Sequence, residues 1–166
     1  HCIKNSFISL RLYSFKDLRT IYSSFNLENL LGSNQTQNGP FGSFLFFCKW
    51  IFTSFQVFYV IEVIENDERR IIGFVGLYGI KINYRVWLSI TVIKPEDRRC
   101  GFGEKAIRLL LDYLQLNAIV EKVSVEILKT NEPSLHFFKD LGFEIYEQKK
   151  DKVLLEKCIK KETTII

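Results

Sequence analysis

"KPEDRRCGFGEKAI", residues 94–107, joins two different hydrophobic patterns. Before it, "YRVWLSITVI" (84–93) carries the β-branched and aromatic residues of a strand, which Pro95 keeps from continuing. After it, Phe102, Ala106, Leu109, Leu110, Tyr113 and Leu114 fall on one broad helical face. The chain therefore passes from strand to helix across Gly101 and Gly103, directly behind Arg98 and Arg99. Glycines let a ligand approach the backbone, a first helical turn leaves amide hydrogens unpaired, and the helix dipole favours negative charge there. With two arginines as charged donors, the turn reads as an anion nest for a pyrophosphate or a 3′-phosphate. A glycine-eased turn with surface arginines is the plain alternative.

Working outward, "FISLRLYS" (7–14) predicts a strand and "SFKDLRTIYSSF" a helix, with Ser14 and Asp17 as a weak capping box. "GSNQTQNGP" (32–40) reads as a loop and Phe41 to about Phe52 as a helix. "VFYVIEVI" and "IIGFVGLYGI" are strands joined by the short charged connection "ENDERR". "KVSVEIL" is a strand, "PSLHFFKDLG" a helix opened by proline and closed by glycine, and "FEIYEQ" with "KVLLEKC" an antiparallel pair turning at Lys150 and Asp151. The order predicts an α/β (α+β) sheet with an early antiparallel meander. A dinucleotide fold fits poorly, because its glycine fingerprint follows the first strand, and there is no Walker motif.

The 166 residues suit a single domain, 47% apolar and 25% charged, with a core of useful size. A net charge of +4 favours a small anionic ligand without indicating nucleic acid, since basic and acidic residues are interspersed. Cys2, Cys48, Cys100 and Cys158 show no CxxC spacing, so we expect four reduced thiols in a cytoplasm and no metal. "FGSFLFFCKWIFTSFQVFYVI" (41–61) superficially suggests a membrane span, but Lys49, Thr53, Ser54 and Gln56 interrupt it, and a buried helix followed by a strand is expected. The sequence contains no methionine and begins at His1, which suggests a missing natural start or methionines left out.

"RRCGFG" resembles the R/Q-x-x-G-x-G/A loop of the GNAT superfamily of acyl-CoA-dependent N-acyltransferases, with Arg98, Gly101 and Gly103 on its defining positions. "NEPSLHFFKDLGFE" (131–144) resembles the family's N-x-x-[SA]-x-x-[LF]-Y-x-x-x-GF segment at Asn131, Ser134, Phe137, Gly142 and Phe143, with Phe138 in the usual tyrosine position. The likeness is strongest over 57–150 and weakest over 1–56. It implies a central sheet flanked by helices and splayed between 84–93 and 121–128, where the pantetheine arm of acetyl-CoA would lie. Thr91, Val92 and Ile93 would pair with that arm through their backbone. Arg98, Arg99, Cys100, Gly101, Phe102, Gly103 and Glu104 would wrap the phosphates, and Asn131, Ser134, Phe137 and Phe138 would face the coenzyme from its other side. Locally, Asn131 reads equally well as a helix cap and both phenylalanines as core.

The resemblance also implies direct attack by a primary amine in a ternary complex, with no acyl-enzyme. Catalytic roles would fall to the Val92 amide, which would polarise the carbonyl, and to Glu62 as base. The third would fall to Phe138, which cannot donate the proton that the family's tyrosine supplies. For Glu62 a solvent-facing strand position is the alternative we favour; Glu126, Tyr78 and Ser89 are further polar candidates. A Cys100–His136 nucleophilic system finds little support. Small amines, amino sugars, polyamines and a protein N-terminus are all open as acceptors, selected by residues 15–56. A homodimer is allowed for, with neither nucleic acid nor membrane as partner. The competing class is a non-catalytic acyl-CoA-binding module of the same fold.

Overall fold

The computed structural model of the protein describes residues 7–24 and 39–160. Seven strands and four helices follow one another as β1 (Phe7–Leu12), α1 (Phe15–Ser24), α2 (Gly39–Ser54), β2 (Val57–Glu65), β3 (Glu68–Lys81) and β4 (Arg85–Val92). After them come α3 (Phe102–Leu116), β5 (Lys122–Leu128), α4 (Glu132–Asp140), β6 (Glu144–Gln148) and β7 (Lys152–Cys158). The sheet order is β1-β2-β3-β4-β5-β7-β6. β1 runs antiparallel to β2, as β7 does to both β5 and β6. β4 and β5 are parallel, in register over Arg85↔Lys122, Val86↔Val123 and Trp87↔Ser124. That register covers only the first three residues of an eight-residue β4.

The described residues fall into two compact units, one comprising those up to Gly76 with Ile90–Ala106, the other Leu77–Ser89 with those from Ile107 onward. The first unit owes its core to the aromatic run that the sequence places after residue 40. Phe47 and Ile51 of α2 pack with Leu18 and Ile21 of α1 over Phe58, Val60 and Phe74. Tyr13 meets Phe58 edge-on at 5.8 Å, and Phe58 lies 4.9 Å from Phe74. α2 starts at Gly39, so the end of the expected loop belongs to the helix, where Pro40 is tolerated in the first turn; residues 32–38 lie outside the described set. No helix among the described residues is long and apolar enough to cross a membrane.

Turn chemistry explains the strand boundaries. Asn66 (φ 50) and Asp67 (φ 65) are both left-handed, giving β2 and β3 the two-residue hairpin whose twist suits antiparallel strands. At the head of α1, the Asp17 carboxylate accepts from both the backbone amide and the hydroxyl of Ser14, while the Asp17 amide donates to the Ser14 carbonyl at 3.0 Å, so only one half of the expected box forms. In the second unit, alternation along β5 buries Val123, Val125 and Ile127 and leaves Glu126 exposed, where it pairs with Lys152 at 2.8 Å. The β6–β7 turn closes with the Lys149 amide donating to Lys152 at 2.8 Å.

Candidate active site

The strand-to-helix turn belongs to the first unit. Its strand end is fixed by β3, where the Ile93 amide donates to the Ile72 carbonyl at 2.8 Å. Close approach here requires glycine at 73, since a Cβ there would sit 2.1 Å from the Thr91 carbonyl oxygen. Because Ile93 faces β3, alternation turns the Val92 amide toward the opposite edge, where the recorded register with β5 has already ended. Beyond the strand, buried Asp97 is gripped by both terminal nitrogens of Arg70, at 2.6 and 2.9 Å.

Arg99 (φ 61) and Gly101 (φ 77) are both left-handed, so the chain coils tightly before α3. The Lys105 amide donates to the Gly101 carbonyl at 3.0 Å as the first bond of the helix, so the Phe102 and Gly103 amides have no intrahelical acceptor. A Cβ on Gly101 would meet nothing within 4 Å. The turn thus sets the open space at Gly101 beside backbone donors that have no intrahelical acceptor and the positive helix end, an arrangement suited to phosphate. Phe102 is buried and anchors the helix; Glu104 is exposed.

One expectation about this turn needs correction, and one residue in it has partners that the sequence did not reveal. Arg98 is exposed, and within the chain its Nε donates to the Val92 carbonyl at 3.1 Å and its Nη2 to the Ile93 carbonyl at 3.4 Å. The side chain thereby staples the end of β4 to the turn. Cys100 is disulfide-bonded, which overturns the expectation of four free thiols. Cys48 and Cys158 are free. Local spacing gave no warning, because a bridge joins positions that only the fold brings together.

Glu62 is also in the first unit, and it is not the solvent-facing residue favoured from sequence: it is 5% exposed. β2 is buried along most of its length, so alternation there does not separate an inner from an outer face. Arg11 of β1 bridges Glu62, at 2.8 Å, and Asp17, at 2.6 and 2.9 Å. Those bonds to Arg11 lead the causes that lower the Asp17 pKa to about 2, and they hold Arg11 firmly protonated. The second Glu62 oxygen is buried without a hydrogen-bond partner, with Arg69 3.9 Å away. Sequence reading missed this network; the signal was a glutamate inside an apolar strand, which has to be paired when buried.

The second motif lies in the second unit. Asn131 caps α4, its side-chain oxygen accepting from the Ser134 amide at 3.3 Å. Phe138 is 5% exposed, edge-on to Phe137 at 5.0 Å and to Phe143 at 5.2 Å, while Phe137 remains half-buried. The capping reading of Asn131 and the core reading of Phe138 therefore hold, that of Phe137 does not, and the polar edges of Asn131 and Ser134 lie near the surface.

The family model for the acetyltransferase (GNAT) family matches residues 18–143. An N-acetyltransferase 9-like protein of Dictyostelium discoideum is 30% identical over 83 residues, which is 48% of this chain and 39% of that protein. The chain thus matches well under half the length of that relative. Spermidine N(1)-acetyltransferase of Vibrio cholerae is 26% identical over 143 residues, 84% of this chain and 80% of the relative. Among solved structures, a domain from Methanocaldococcus jannaschii superposes with a TM-score of 0.75 at 18% identity, covering 93% of this chain and 99% of that one. Spermidine N-acetyltransferase of Vibrio cholerae, solved with CoA and spermine, gives 0.69 at 20% identity, with coverages of 91% and 95%. At such identities the likeness is one of fold. The family match extends over well more than half of the sequence, and both glycine-loop and downstream motifs lie within it or reach its end, so the chain belongs to the acetyltransferase (GNAT) family.

Proposed function

We propose that the protein is an N-acetyltransferase that transfers an acetyl group from acetyl-CoA to a primary amine by direct attack in a ternary complex. The observation that carries this reading is the open, left-handed Gly101 at the head of α3, next to the Phe102 and Gly103 amides. Acetyl-CoA, when bound, supplies the activated acyl group. The chain's own part is to hold and orient: residues 98–104 grip the phosphates, and the Thr91–Ile93 segment, through the Val92 edge that faces away from β3, aligns the pantetheine arm as an added strand would. The Val92 amide donates toward the thioester carbonyl oxygen. Asn131, Ser134 and Phe137 contact the coenzyme through α4, and the Phe138 ring lines its thiol end without serving as an acid.

Glu62 is proposed as the proton acceptor for the amine, through the carboxylate oxygen that Arg11 does not engage. Small amines, amino sugars, polyamines and a protein N-terminus all meet the chemical requirement, and a cytoplasmic location and a homodimer belong to the same proposal. Phenylalanine at 138 and the Arg11 pairing of Glu62 favour one second reading, an acyl-CoA-binding module that does not turn over. Thiol release from acetyl-CoA across an amine panel separates the two. Turnover with intersecting initial-rate lines is the expected result, parallel lines would point to an acyl-enzyme, and binding without release would leave the module.

A further inference from the structure

The two helices of the first unit carry more apolar surface than its core uses. Leu18 and Ile21 of α1 and Phe47 and Ile51 of α2 pack over Phe58, Val60 and Phe74. Tyr13, just before α1, meets Phe52 at 6.0 Å, and Tyr22 meets Phe44 at 5.2 Å, so the helices lie side by side in opposite directions. On the surface that this packing leaves outside, Phe15 is 72% exposed, Leu45 53%, Phe46 38% and Phe52 49%. A surface helix ordinarily turns polar residues to that side. α2 turns leucine and phenylalanine there instead, with Leu45, Lys49 and Phe52 on one stripe.

Every exposed charge on these helices is positive. Lys16 and Arg19 lie one turn apart on α1, and Lys49 lies on α2. α2 contains no acidic residue, and the single acid of α1, Asp17, is buried with both oxygens taken by Arg11. No carboxylate among the described residues pairs with Lys16, Arg19 or Lys49. Cations and apolar side chains are thus interleaved on one face, and that combination decides between occupants. In a two-fold contact the face would meet itself, setting its cations against cations alone. Nucleic-acid phosphates would match the cations and leave the phenylalanines in water. An anionic bilayer satisfies both at successive depths, with headgroups against the cations and acyl chains against the rings.

We infer that the outer face of α1 and α2 is a docking surface for anionic phospholipid, by which the protein rests on a bilayer without crossing it. The expectation of no membrane partner weighed only a span, and no described helix is long and apolar enough to form one. Lying in the interface asks instead for a few inserted rings beside basic residues. The inference does not rest on the transferase reading above. Its binding is reversible and salt-sensitive, each cation contributing a factor of about five.

Co-sedimentation of the full chain with vesicles tests this. Phosphatidylcholine vesicles with about one third phosphatidylserine should carry the protein down at low salt, and pure phosphatidylcholine should not. Raising the salt from about 0.05 to about 0.5 M should release it. Lys16→Gln and Lys49→Gln should each weaken binding about fivefold. Phe15→Ser and Leu45→Ser, which keep every charge, should weaken it by a similar factor or more at the wild-type thermal midpoint. No sedimentation with either vesicle overturns the inference, as does equal sedimentation with both. Binding to anionic vesicles that all four substitutions leave untouched places the contact elsewhere and overturns it too. Losses in the lysine variants alone reduce the face to a basic patch and overturn the insertion of its rings. Self-association without lipid, seen by sedimentation velocity and lost in Leu45→Ser, gives the face to a second copy instead.

Discussion

Both carboxylate oxygens of buried Asp97 are held by Arg70, 27 residues earlier in the chain, at 2.6 and 2.9 Å. The pair ties the segment before the glycine turn to β3, two residues from the Ile72 carbonyl that receives the Ile93 amide. One strand thus sets the position of both the end of β4 and the entrance to the turn. Arg70→Met would leave a buried carboxylate uncompensated and should cost about 3 kcal/mol in urea unfolding. Acetyl-CoA affinity should fall with it, while kcat at saturation changes little. Wild-type affinity in a destabilised variant would show that the pair does not position the turn.

Gly101→Ala should weaken acetyl-CoA binding at least tenfold by placing a methyl group where phosphate approaches. Its left-handed φ of 77° adds a cost of about 1 kcal/mol for any residue with a Cβ. Gly101→Asn separates the two effects, because asparagine tolerates that conformation while still filling the space. Calorimetry should find both variants impaired and unfolding should find only the alanine form strained. Equal affinities in all three proteins would remove the turn from the binding site.

Protonation of Asp17 should unfold the first unit from the acid side. Its native pKa of about 2 lies below the ordinary 3.8, so the stabilising contribution is complete above about pH 4 and is lost as pH falls toward 2. At neutral pH the shift corresponds to about 2 kcal/mol. Asp17→Asn should flatten the stability profile between pH 5 and 2, measured by urea titration, while the wild type falls steeply over the same range. A profile unchanged by the substitution would show that Arg11 does not draw its stabilising effect from Asp17.

Phe138→Tyr tests the proposed thiol end. With its ring placed beside the coenzyme sulfur, the added hydroxyl should raise kcat severalfold, at a stability cost below about 1 kcal/mol. A loss above about 2 kcal/mol with unchanged kcat would mean that the ring edge is enclosed by Phe137 and Phe143 alone.

Thiol labelling checks the corrected cysteine assignment. Without reductant, Cys158 should alkylate in the native protein, whereas Cys48, buried and with its thiol pKa raised by burial, should react only after unfolding. Cys100 should stay unlabelled until reductant is added, and its labelling in the native protein would refute the bridge.

Much of this was legible in the sequence because periodicity and turn residues are local. "ENDERR" foretold the β2–β3 hairpin, and the change of pattern at Gly101 located the start of α3. Partnerships across the fold were not legible. Glu62 looked solvent-facing because alternation assumes one wet face, and β2 has hardly any. Nor does anything in its neighbours reveal that the Arg98 guanidinium also donates to the carbonyls of Val92 and Ile93. The pairing of Arg70 with Asp97 and the stacking of Arg85 on Trp87 had no local signature either.

Trp50, packed against Phe47 and Phe55, belongs to the first compact unit; Trp87, beneath Arg85, belongs to the second. They are the two tryptophans of the sequence. Each unit therefore carries one intrinsic fluorophore, set among its own aromatic neighbours. Substituting either with phenylalanine leaves a single emitter, so the loss of structure in one unit can be timed against the other in one denaturation experiment. Coincident traces would identify one cooperative folding block, and separated traces would identify two, with Gly76–Leu77 and Ser89–Ile90 marking the strand positions where cooperativity breaks.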